Sequence, residues 1–156
     1  MAIKFLVFLL MLSNLAQADD TSKESELGFK LASLETNENL SKSDIRVARA
    51  IRAISDAESV CAESDPVRLV DQAVNTADML KKNGIYSSAV DILEGLKAIL
   101  FDYKEKQDCM KTLYYYFQGR SELDFNHSQA VAALHILVVN GNKLAEKPES
   151  KKSHKR

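Results

Sequence analysis

The chain is 156 residues long, 28% of them charged, yet the formal net charge is only −1. A hydrophobic content of 46% is enough for a core, which excludes a disordered chain, and the length suits one domain. With only 5 Gly and 2 Pro, irregular or β-rich architecture is disfavoured, so helices are expected.

The first 18 residues read as a targeting segment. Lys4 precedes an apolar run from Phe5 to Leu12, and Ala16-Gln17-Ala18 offers a small-residue cleavage site before Asp19-Asp20. These parts make a secretory signal peptide, and the apolar run is too short for a membrane span. The expected location is periplasmic or secreted, with no stable membrane insertion once the signal is gone. Between Asp19 and Asn142 there are 14 basic and 20 acidic residues, a net of −6. An acidic body argues against nucleic acid as a partner.

Residues 19–26 are polar and expected to fray. A first helix then carries Leu27, Leu31 and Leu34, stopping near Asn37 to Asn39. Ser41 and Asp44 have capping-box spacing and open a longer helix to about Cys61, with Val47, Ala50, Ile51, Ile54 and Ala57 on one face. Arg46, Arg49 and Arg52 recur every three residues on another side, a ladder able to receive an acidic partner.

Asp65-Pro66 opens the next helix, with aspartate as cap and proline at the first helical position. Its stripe is Val67, Val70, Val74, Ala77 and Leu80. Lys81 and Lys82 suit the carbonyl end, and Gly84 can take the left-handed conformation that ends a helix. Ser88 caps the following helix, with Asp91 in box spacing and a stripe of Ala89, Ile92, Leu93, Leu96, Ile99, Leu100 and Tyr103. The short turn at Asn83-Gly84-Ile85-Tyr86 folds these two helices into a hairpin.

Gly84, Tyr86 and Ala89 have the turn spacing of a tetratricopeptide repeat, and Ala73 and Ala77 fall at packing positions of its first helix. This hairpin resembles that family, although Leu96 and Phe101 stand where it usually has alanine and often proline. The resemblance implies a concave surface that grips a peptide or a partner helix. Ala48, Ala89 and Ala130 lie 41 residues apart near helix starts, the trace of a three-hairpin array.

Polar residues from Lys104 to Asp108 predict a break before a helix carrying Cys109, Met110, Leu113, Tyr116 and Phe117. Tyr114, Tyr115, Tyr116 and Phe117 point all round that helix, so they cannot all face one core. Either neighbours cover both sides or some rings meet a partner. The segment from Cys109 to Gly119 distantly resembles the cysteine-aromatic-glycine helix of immunity proteins from interbacterial secretion systems, whose additional cysteines are absent here. That likeness implies neutralisation of a toxic periplasmic enzyme. A last helix from about His127 to Val139 has Ala130, Val131, Ala133, Leu134, Leu137 and Val138 on its face, with Asn140-Gly141 as its stop. Residues 143–156 form a basic tail with little to bury, expected to be disordered.

Cys61 and Cys109 are an even pair in an exported chain, which predicts a disulfide contributing about 4 kcal/mol on the chain-entropy model. His127 and His135 are eight apart, too far to chelate one ion from adjacent turns, so no metal site is expected. No glycine-rich phosphate loop occurs, and no cofactor is implied. The sequence thus predicts an all-α protein of five or six antiparallel amphipathic helices, in a bundle or a short hairpin array. The domain is expected over 19–142. Its expected work is binding a protein or peptide without catalysis, as a general module or as an immunity or inhibitor protein. Homo-oligomerisation is left open. The expected contact residues are Tyr114, Tyr115 and Tyr116, then Arg46, Arg49 and Arg52.

Overall fold

A computed structural model describes residues 23–63 and 65–145. The described residues form six helices: α1 over residues 23–36, α2 Ile45–Val60, α3 Pro66–Lys82, α4 Ala89–Leu100, α5 Cys109–Ser121 and α6 His127–Ala145. The protein is all-helical, as its composition and periodicity predict. Residues 1–18, expected as a signal peptide, lie outside the described residues, as do residues 146–156 of the tail expected over 143–156, whose first three residues belong to α6.

The sequence of α4 dictates the arrangement. Ala89, Val90, Ile92, Leu93, Gly95, Leu96, Ile99 and Leu100 are all buried, so this helix hides more than one face. Apolar surface on several sides requires several neighbours. Accordingly α4 packs against α2, α3, α5 and α6. Gly95 lets α6 come close: a Cβ there would meet His127 Cε1 and a Val131 methyl at 3.2 Å.

The hairpin leading into α4 follows its local signals. Asp65 accepts from Val67 N at 3.1 Å, Ser88 Oγ accepts from Asp91 N at 2.9 Å, and Pro66 occupies the first turn. Gly84 has φ of 76°, and the Gly84 and Ile85 amides donate to Lys81 and Leu80 carbonyls at 3.0 Å. That pairing closes α3 and satisfies carbonyls that would otherwise be orphaned.

Elsewhere the boundaries and faces shift. Asp44 itself caps α2, accepting from Arg46 N at 2.9 Å, and Ser41 bonds Ser43 instead of opening a box. The helix α1 begins at residue 23, inside the stretch expected to fray, and α6 continues through Asn140-Gly141 to Ala145. One helical glycine costs only about 1 kcal/mol, less than a breaker needs. In α3 Leu69, Val70, Ala73, Thr76 and Leu80 are buried; of the expected stripe Val70 and Leu80 are among them, Val74 and Ala77 are half-buried against the core, and Val67 is exposed. Leu34, Met110 and Leu137, expected on core faces, are exposed as well.

Two covalent or close-contact features hold the periphery. Cys61, at the end of α2, and Cys109, at the start of α5, are joined with Cα atoms 5.4 Å apart, and both are buried. Beside them Ala62 N donates to Gln107 O at 2.7 Å and Gln107 N to Val60 O at 2.8 Å, a single bridge of parallel-strand type. At the other edge Gly28 of α1 lies on α2 so closely that an added Cβ would meet Ile51 Cγ1 and the Ile51 backbone nitrogen, the latter at 2.9 Å. Backbone cannot yield as a flexible side-chain end can.

Thiol labelling of the native protein is expected to find no reactive cysteine before reduction and two after it; labelling before reduction would remove the bond. Gly28→Ala is expected to lower stability by about 1–3 kcal/mol through overpacking, read from urea unfolding. An unchanged midpoint would show that α1 is not docked through Gly28.

Candidate partner-binding surface

The three arginines do not form an open ladder. Arg46 folds back on its own helix start, with Nη1 on Glu38 Oε2 at 2.8 Å and Nη2 on Asp44 Oδ2 at 2.9 Å. Hydrogen bonds from the Arg46 side chain and backbone hold the Asp44 carboxyl down to about 2. Arg49 reaches α4: Nε and Nη2 grip the Glu94 carboxylate at 2.8 and 2.6 Å, and Nη2 also meets Asp91 at 2.6 Å. It fastens α2 to α4, so the acidic partner expected for it is within the chain. Arg52 is exposed and makes no ion pair among the described residues, not even with Asp56 one turn on.

The tyrosines divide. Tyr114 and Tyr115 are 58% and 46% exposed, and their rings meet edge-on at 5.7 Å. Tyr116 is 2% exposed, which removes it from the contact set. It is a core residue with a bonded hydroxyl. Arg120 Nη1 donates to that oxygen at 2.9 Å, His127 Nδ1 lies at 2.8 Å and Ser87 Oγ at 3.2 Å. Since Arg120 can only donate, the phenolic hydrogen is available to His127 or Ser87. Arg120 is itself buried, its guanidinium 5.8 Å from the Tyr116 ring centroid, and its Nε has no partner among the described residues.

Tyr114 and Tyr115 stand on α5, and Arg46, Arg49 and Arg52 on α2, which does not touch α5 or α6 along its length. The two groups therefore do not make one site. Tyr115 instead lines a groove of about 710 Å³ between the end of α4, α5 and α6. Leu100, Tyr103, Leu123, Phe125, Leu134 and Leu137 supply its apolar surface, while Gln107, Asp108, Lys111 and Gln118 bring polar groups from the α4–α5 loop and α5. A sequence signal for this groove existed in α6, whose residues from Ala130 to Val139 are apolar save His135 and so exceed one face. A second groove, of about 620 Å³, runs between α1, α3 and the start of α4, beside Tyr86 and Leu34.

His135 belongs to neither candidate group: its Nδ1 lies 3.1 Å from Ile99 O, its ring stacks on Phe101, and Nε2 is 3.5 Å from Asp102. No group of three or more potential metal ligands occurs among the described residues. No helix there is long and apolar enough to cross a membrane. Comparison of the chain with protein-family models, curated proteins and solved structures returns no match.

Burial pushes the His127 imidazole below its ordinary range, with Asp91 pulling upward and Arg120 reinforcing the drop. A group lowered on folding contributes stability that is lost as pH falls from the unfolded value through the folded one. Glu35 has the opposite sign. Partial burial raises its carboxyl, although it accepts from Val90 N at 3.0 Å, so its contribution improves as pH falls. Urea unfolding between about pH 7.5 and about pH 5.5 should show a loss due to His127. In His127→Gln that loss should vanish, leaving the Glu35 trend; an identical pH slope in both proteins would refute the assignment.

Proposed function

We propose that the protein is exported, to the periplasm or outside the cell, and there binds another protein or peptide without catalysing a reaction. The observation that carries this reading is the groove bounded by α4, α5 and α6. Its volume falls within the range of natural recognition clefts, roughly 300–1,000 Å³, and one apolar wall faces a partly polar one. Such a surface suits the apolar face of an amphipathic helix or peptide, with Tyr115 as an aromatic anchor at the rim. The buried Cys61–Cys109 bond supports an oxidising compartment.

A second reading, inhibition of a periplasmic enzyme as an immunity protein, is favoured by Tyr86. That ring is 83% exposed on the capped turn between α3 and α4, a projecting aromatic on a firmly closed hairpin.

The two readings predict different losses. Tyr115→Ala and Leu137→Lys are expected to weaken capture of the native partner by roughly 30-fold, about 2 kcal/mol, with helical dichroism retained. Full binding by both variants would discard the groove. Loss on Tyr86→Ala alone would favour the inhibitor.

A further inference from the structure

The groove between α1, α3 and the start of α4 shares no lining residue with the one between α4, α5 and α6. Its floor is apolar, with Val74 and Ala77 half-buried against the core and Ala89 buried. Tyr86 stands exposed at its edge, on a turn fixed at both ends. The Leu80 and Lys81 carbonyls hold one end, and the Ser88 cap of α4 holds the other. A ring on so constrained a backbone loses little freedom when something packs on it. The charges around it are mostly negative. Glu35, Asp78 and Asp91 line the groove, against Lys81 as the one cation among the described lining residues. Arg49 takes the Asp91 carboxylate, whereas Glu35, Asp78 and Lys81 make no ion pair among the described residues. Glu35 Oε1 accepts from Val90 N at 3.0 Å, which occupies part of a carboxylate with about four acceptor positions. Burial and the neighbouring Asp91 push the Glu35 carboxyl up, and the Val90 and Ala89 amides and Arg49 offset this only in part.

We propose, resting on the reading of Tyr86 as a partner contact, that this groove receives an arginine side chain of the partner protein, its guanidinium stacked on the Tyr86 ring and donating to Glu35 and Asp78. The chemistry of the walls selects this occupant. A guanidinium has a flat face for the ring and edge donors for the open acceptor positions of Glu35. Its aliphatic stem covers Val74, Ala77 and Ala89 without burying a polar atom. An acidic side chain would meet two unpaired carboxylates here. An apolar one would strip water from Glu35 and return no donor. The acidic body, with a net of −6 between Asp19 and Asn142, also draws a basic partner inward before contact.

The probe is N-acetyl-arginine amide, titrated into the full chain to about 50 mM at constant ionic strength, with N-acetyl-citrulline amide as its uncharged isostere. Amide NMR signals around Tyr86 and Val90 should move with half-saturation on the order of 10 mM for the arginine compound, and stay in place for the citrulline one. Glu35→Gln keeps a side-chain oxygen to accept from Val90 N, so the start of α4 is expected to hold while half-saturation rises at least about fivefold. Tyr86→Ala, at an exposed position, should raise it about threefold. Equal shifts with both compounds, no shift near Tyr86 and Val90 up to about 50 mM, or an unchanged titration in Glu35→Gln would each overturn the proposal. Capture of the native partner tells this failure from failure of the contact itself. If Tyr86→Ala abolishes capture while the two amides titrate alike, Tyr86 is still a contact but its counterpart is not arginine. If Tyr86→Ala captures as well as the unaltered chain, the contact and the arginine fall together.

Discussion

Everything in this bundle depends on hiding α4. The buried residues of α4 run round the helix from Val90 through Leu93, Leu96 and Ile99 to Gly95, a wider arc than any single helix could cover. Fully burying a side chain of this type is worth roughly 1.5–3 kcal/mol, so a partly wrapped α4 would forfeit much of a small domain's margin. The remaining helices are therefore arranged by one requirement, to supply α4 with walls. The peripheral helices can be narrow or irregular in pattern because each has to contribute only one wall.

Polar groups follow the same geometry. Around the rim of α4 runs a chain of interactions from Arg49, through Asp91 and Glu94, to the neighbourhood of His127, and then by Tyr116 to Arg120. The Asp91 carboxyl is pushed up by burial, but the Arg49 guanidinium and the Ser88 hydroxyl together bring it below its usual range. The exposed end of this chain resembles ordinary surface pairing, worth about 1 kcal/mol or less per pair. Its buried end is different, because a guanidinium with no carboxylate partner among the described residues tolerates little rearrangement of the phenol that receives it. Tyr116 thus has two tasks, filling the core and giving Arg120 an acceptor.

The sequence was most informative where structure is decided within a few residues. The caps at Asp65 and Ser88, the left-handed Gly84 and the break before Cys109 all depend on neighbours close in the chain, and all are found. It was least informative about which of several apolar lines a helix would bury. Leu34 and Leu137 have the right spacing, yet whether a wall arrives opposite them is settled by segments far away in sequence. The role of Arg49 was hidden for the same reason: the acids that receive it lie 42 and 45 residues downstream. The groove was hidden for a further reason, since Leu100, Tyr103, Leu123, Phe125 and Leu134 come from separate segments and share no local pattern. Among the four adjacent aromatics, helical angle alone could say that the rings diverge, not that Tyr116 would be the inward one.

The bond between Cys61 and Cys109 encloses α3, α4 and the loop that follows, 48 residues apart along the chain. It turns the middle of the protein into a closed ring from which α1–α2 and α5–α6 emerge as two arms. A peptidase that cuts once anywhere inside the ring opens it without releasing either piece, and the arms stay tethered to each other. In an environment rich in hydrolytic enzymes, nicking of the projecting Tyr86 turn would thus leave one molecule with two ends more, not two fragments.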